Sequence, residues 1–144
     1  FVDHHTFVDH KAPNCNSNEL YKGIFDNNAK GVFNGKVMVR PDAQKTNAFQ
    51  QNNNILLTDH ASIDTKPQLE IFADDVKCSH GCTIGQLNED ALFYLQSRGI
   101  AKKEATALLL FAFKNDVMEN IKIPTLKQKL NKLIAQKLNV SFEL

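Results

Sequence analysis

The chain has 144 residues, 42% of them hydrophobic and 23% charged, with a formal net charge of +1. That length suits one domain or two small ones, and the composition is that of an ordinary globular protein. Near-neutral charge argues against a broad nucleic-acid face, which needs Lys and Arg concentrated on one surface.

Cys15, Cys78 and Cys82 are an odd number and form no dense framework, so a disulfide-stapled secreted domain is not expected. No apolar run approaches the roughly 20 residues of a membrane-spanning helix. The start, Phe1-Val2-Asp3-His4-His5, lacks the charged region and apolar core of a signal peptide and has no initiator Met. We read the chain as a piece of a longer protein in a reduced, cytoplasmic setting.

In chain order, residues 1–86 read as short strands with polar corners. Val2 to His10 holds two V-D-H units, and alternation puts Asp3, His5 and Phe7 on one face with His4 on the other. Leu20–Phe25 precedes the turn-like Asp26-Asn27-Asn28-Ala29, and Gly31–Val39 precedes Arg40-Pro41-Asp42-Ala43. Asn52-Asn53-Asn54 reads as a second Asn-rich corner leading into Ile55–Thr58, and Leu69–Ala73 alternates before Asp74-Asp75. Evenly spaced short strands fit either a β-sandwich or a β-helix of stacked rungs, and no crisp repeat chooses between them.

Residues 87–144 read as three helices forming a second domain. Asn88 is the expected N-cap of the first, with Glu89 and Asp90 in its first turn and Gly99 just past its end. The second runs from about Lys102 to Asn120, with Ala105, Leu108, Leu109, Ala112 and Phe113 as its apolar stripe, which Leu110 and Phe111 widen toward burial on more than one side. Pro124 opens the third, whose apolar face is Leu126, Leu130, Leu133, Ile134 and Leu138.

Chemistry concentrates at Lys77-Cys78-Ser79-His80-Gly81-Cys82. On a strand, residues two apart share a face, so Cys78, His80 and Cys82 line one side. Neutral imidazole ligates iron or zinc, and thiolates suit iron–sulfur clusters. A closed zinc site from these three alone would need a bend, because ligands at i and i+4 on a strand stand about 13 Å apart. Gly81 is where such a bend would fall. His4, His5 and His10 with Asp3 and Asp9 also invite a metal reading, but a solvated strand explains them as well. Ser79 and His80 are adjacent and face opposite ways, and no nucleophile elbow or phosphate-binding loop is present. An enzyme acting on sugars would have only the diverging pair Asp74-Asp75.

The run Ala73 to Ile100, with K-C-S-H-G at Lys77–Gly81 and L-F-Y-L-Q-S-R-G-I at Leu92–Ile100, resembles the C-terminal region of SufD-type members of the SufB/SufD family. These are scaffold subunits of the SufBCD iron–sulfur cluster assembly machine. In SufB-type members a glutamate follows the histidine; here Gly81 does. Family members usually carry alanine where this chain has Cys82, so the resemblance gives Cys82 no role.

The resemblance implies a right-handed parallel β-helix over residues 1–86, then a helical domain over residues 87–144 that docks the SufC ATPase. It implies a non-catalytic scaffold, with no resident cofactor in this piece alone and a transient cluster or iron in the full complex. His80 and Cys78 become candidate iron or cluster ligands at the interface with a SufB-like subunit. It also implies that ATP-driven closure of SufC reaches that interface through the helices. The rival expectation is a metal-free interaction module, a homodimer formed through open sheet edges. Neither reading includes nucleic acid or membrane.

Overall fold

The computed structural model describes residues 1–138. The chain forms two compact units, Phe1–Gln86 and one beginning at Leu87. The final six residues of the expected helical domain lie outside the described residues.

The first unit holds six strands: β1 (Val2–His10), β2 (Asn16–Phe25), β3 (Lys30–Val39), β4 (Asn47–Leu56), β5 (Ser62–Ile71) and β6 (Lys77–Gly85). The odd strands form one three-stranded sheet in the order β1-β3-β5, the even strands another in the order β2-β4-β6. Every pairing is parallel. Parallel neighbours need a long return path, and here the intervening strand of the other sheet supplies it.

The register sets Asn16 beside Asn47, and Asn47 beside Lys77. Side chains 31 residues apart therefore meet along the outside. Asn47 Nδ2 donates to Asn16 Oδ1 at 2.9 Å, and Arg40 grips both oxygens of Asp9 at 3.0 and 3.2 Å. At the corners, Thr58 Oγ1 donates to the Asn27 carbonyl at 2.6 Å, and Asp75 N donates to Gln44 Oε1 at 2.9 Å. Asn14, Asn27 and Lys45 turn these corners with φ of 60°, 54° and 59°, a region that Asn tolerates better than most residues.

The central strands β3 and β4 alternate buried and open positions. Their inward residues build a core in two halves. One half is apolar: Val37, Val39, Ala43, Ala48 and Ala73, with Val8, Leu69, Val76 and Cys78 packed against them. The other mixes amide and aromatic groups: Gln50, Asn52 and Asn54 are each no more than 3% exposed, and Phe33, 2% exposed, has its ring centre 4.7 Å from that of Tyr21. Asn54 Nδ2 donates to Asn52 Oδ1 at 2.6 Å. Asn52–Asn54 thus lies inside β4, where the sequence suggested a corner. Asn is a poor strand former by propensity, but a parallel in-register strand lets its amide bond inside the core.

The second unit holds α1 (Glu89–Ser97), α2 (Lys102–Glu119) and α3 (Pro124–Lys137). Asn88 Oδ1 accepts from Ala91 N at 2.9 Å, and Glu89 and Asp90 occupy the first turn as expected. Gly99 ends the turn with φ of +87° and donates its N–H to the Gln96 carbonyl at 2.9 Å. The α2 stripe differs from expectation. Its buried residues are Ala105, Ala107, Leu110, Lys114 and Met118, while Leu108 and Ala112 are exposed. Residues 105–113 are apolar apart from Thr106, so their spacing cannot orient the helix. The face is set by the later turns, and there it includes a lysine. Burial lowers the Lys114 pKa, as does Lys127 nearby. Lys114 Nζ donates to Asn131 Oδ1 and lies 4.5 Å from the Phe111 ring centre, which ties α2 to α3. No residue of α3 is fully buried, and Leu126 and Leu133 stand exposed on its apolar face. No helix among the described residues is long and apolar enough to cross a membrane.

Candidate functional site

Strand β6 is the edge of the second sheet and, among the described residues, pairs only with β4. Its register sets Cys78 beside Ala48, His80 beside Gln50, and Cys82 beside Asn52. Because Ala48, Gln50 and Asn52 all face inward, the three candidate ligands share the core-facing side of β6, as their spacing implied. Their surroundings differ. Cys78 is half-buried against the apolar half of the core, and His80 and Cys82 are exposed.

Burial pushes the Cys78 thiol above its ordinary pKa, partly opposed by a hydrogen bond with the Ala48 backbone. A thiol held protonated is a weak ligand until a metal or a base takes its proton. His80 lines an open depression of about 280 Å³ with Asn18, Phe49, Gln50, Gln51, Ser79 and Gly81. Among the described residues, no group of three or more His, Cys, Asp and Glu side chains converges to hold a metal ion. In-register spacing of about 6.6 Å between alternate residues on β6 accounts for this. It also argues against the closed zinc site.

The amino-terminal histidines part company. His5 Nε2 lies 2.9 Å from Asp3 Oδ1 in an exposed pair, while His4 lines a cavity with Tyr21 and Phe33. His10, only 6% exposed, sits 2.9 Å from Ser17 Oγ through Nε2. A solvated strand describes His5 but not His10, which the turn toward the core carries inward. Asp74 and Asp75 sit in the bend before β6.

Sequence reading missed the groups behind His80. Gln50 Nε2 donates to Glu19 Oε1 at 3.4 Å, and Tyr21 OH donates to Glu19 Oε2 at 3.1 Å. Burial raises the Tyr21 pKa, and its proton stays with it at neutral pH. No local sequence signal marks them, because only the 31-residue register of β2 on β4 brings Glu19 beside Gln50.

Two parallel three-stranded sheets followed by three helices, with a Cys/His-bearing edge strand, agree with one family profile. That profile is described as SUF system FeS cluster assembly, SufBD core domain, and it matches residues 1–113. The chain belongs to the SufBD family of iron–sulfur cluster assembly proteins. It is 43% identical over 136 residues to the iron–sulfur cluster assembly protein SufD of Escherichia coli, covering 94% of this chain and 32% of that protein. An iron–sulfur cluster assembly SufBD family protein of Synechocystis sp. is 44% identical over 133 residues, covering 92% of this chain and 29% of that one. SufD of Bacillus subtilis is 34% identical over 118 residues, covering 82% and 27%. The chain thus spans about a third of the length of the curated relatives it matches.

Proposed function

We propose that this chain is part of a non-catalytic scaffold subunit in iron–sulfur cluster assembly. It pairs with a SufB-type subunit and holds a SufC-type ATPase, and it contributes His80 to the place where iron and sulfur meet. The two sheets are, in this reading, the walls of a right-handed parallel β-helix. The alternation of strands between sheets and the ladder of contacts 31 residues apart support that geometry.

The observation that carries the functional reading is the placement of His80, exposed on an edge strand whose outer N–H and C=O groups have no partner strand among the described residues. Such an edge pairs readily with another chain. A ligand on the core-facing side of that edge would lie at the resulting seam. Cys78 supports it by shaping the strand against Ala48, or by ligation once its proton is taken. Iron and sulfide are cargo here, not resident cofactors. The ATPase docks on the helical unit, where Phe93, Tyr94, Leu126 and Leu133 are exposed. Its closure on ATP is felt at the seam through these helices, a two-state coupling. The three cysteines, all free, fit a reducing cytoplasm.

Light scattering on this chain mixed with a SufC-type ATPase tests the docking reading. A complex of defined mass, lost when Phe93 and Tyr94 are both replaced by Ser, supports it. A folded chain that stays monomeric in the mixture removes it. A homodimer that excludes the ATPase favours the metal-free module.

A further inference from the structure

Resting on the reading of His80 as a ligand, we infer that Gln50 is its positioning residue: its side-chain carbonyl is the acceptor for the His80 ring N–H when the other ring nitrogen holds metal. Four observations meet at this residue. Gln50 is only 2% exposed, yet its Oε1 has no hydrogen-bond partner. A buried acceptor left unpaired destabilises the fold, so its retention calls for an explanation. Its other amide atom, Nε2, is turned to Glu19 Oε1, and Glu19 is itself held by Tyr21. Since an amide's oxygen and nitrogen diverge, a nitrogen turned to β2 directs the oxygen away from β2. The strand on the opposite side of Gln50 is β6, and the residue in register there is His80.

The facing sheet is cut to fit this amide. A Cβ at Gly35 would stand 2.7 Å from both Gln50 Nε2 and Gln50 Oε1, so the carboxamide lies flat on a residue with no side chain. Gln50 and His80 share the core-facing side of the β4–β6 pair, and in-register neighbours on adjacent strands stand about 4.8 Å apart. Turning the imidazole toward the core brings its N–H to this acceptor.

The chemistry is that of a metal-bound histidine. A ligating imidazole gives its second N–H to a carbonyl or carboxylate, which fixes the tautomer and the ring plane. Gln50 supplies the carbonyl, and Glu19 and Tyr21 hold Gln50 in the orientation that presents it.

The test is residue-resolved NMR of the chain titrated with Zn²⁺ alone, a diamagnetic stand-in for iron. The native chain is expected to bind at the His80 ring, with the second ring N–H protected from exchange and in nuclear Overhauser contact with Gln50. Gln50→Met should weaken binding at His80 by about 10-fold or more, the usual range for losing such a partner, with the strand amides unchanged. Binding at His80 that Gln50→Met leaves unaltered overturns this inference alone. Absence of any binding at His80 in the native chain removes the ligand reading and this inference with it. Should Gln50→Met not fold, the native contacts decide: a bound ring with a freely exchanging N–H and no contact to Gln50 refutes the assignment.

Discussion

Gly35→Ala and Gly81→Ala are the same chemical change at two strand positions, and the structure assigns them opposite outcomes. At Gly35 the new methyl would stand 2.6 Å from Phe33 Cζ and 2.7 Å from both amide heteroatoms of Gln50. Ordinary contact is about 3.5–4.0 Å, so each neighbour must retreat by roughly 1 Å. Phe33 and Gln50 are each only 2% exposed and have nowhere to go. Overpacking of this kind costs about 1–3 kcal/mol, and loss of the Gln50–Glu19 hydrogen bond adds about 0.5–1.5 kcal/mol. We therefore expect Gly35→Ala to destabilise the strand unit by about 1.5–4.5 kcal/mol. At Gly81 no atom lies within 4 Å of the added Cβ, and φ is not in the left-handed region. There Ala should be neutral, or stabilising by up to about 1 kcal/mol through the unfolded state. Native-state hydrogen exchange of the β3 and β4 amides reads this unit separately from the helices. Adding Gln50→Ala to Gly35→Ala should recover part of the loss, since the pair is in contact. Equal protection in the two single variants, or no recovery in the double, would refute the packing account.

Three further outcomes follow from the same structure. Hydrogen bonds from Arg40, aided by its charge and that of Lys11, hold the Asp9 carboxyl below its usual pKa. A depressed folded pKa contributes stability that is fully present above the unfolded value of about 3.9 and is lost as pH falls from there through the lower folded value. Asp9→Asn should thus flatten the acid limb of strand-unit stability, and an unchanged limb would contradict the role given to this pair. Asn88→Ala removes the only side-chain cap of α1 and should cost its helix about 1 kcal/mol by amide exchange. Iodoacetamide at neutral pH should modify exposed Cys82 well before Cys78, whose thiol is half-buried and raised in pKa. Comparable rates would mean that β6 is not seated on β4 as described.

How much was legible in the sequence depended on how local the cause is. Helix ends were readable because one residue decides each: Asn88 caps, Gly99 takes the positive φ, and Pro124 opens a turn. Strands were readable where apolar residues alternate, as in Gly31–Val39, and missed where polar groups face inward, as in Asn16–Glu19 and Asn47–Asn54. Single-strand patterns assume an apolar interior, and here the amides of Gln50, Asn52 and Asn54 are buried in it. The shared face of Cys78, His80 and Cys82 came directly from strand alternation. Their different exposures did not, because depth depends on the opposing layer: apolar for Cys78, polar for His80. Gln50 and Glu19 were invisible as a pair, since only the 31-residue register brings them together. The family resemblance carried by Lys77–Gly81 and Leu92–Ile100 is upheld by the profile match over residues 1–113.

The central claim is that His80 serves cluster assembly at the seam with a SufB-type subunit. It is tested most directly by measuring iron and acid-labile sulfide on the assembled complex, prepared anaerobically with His80 or with His80→Ala. The account predicts that the variant complex keeps its mass and loses most of its iron and sulfide, while a Cys15→Ala control keeps both. Equal iron and sulfide in the His80→Ala complex would contradict it and leave β6 as a purely structural edge.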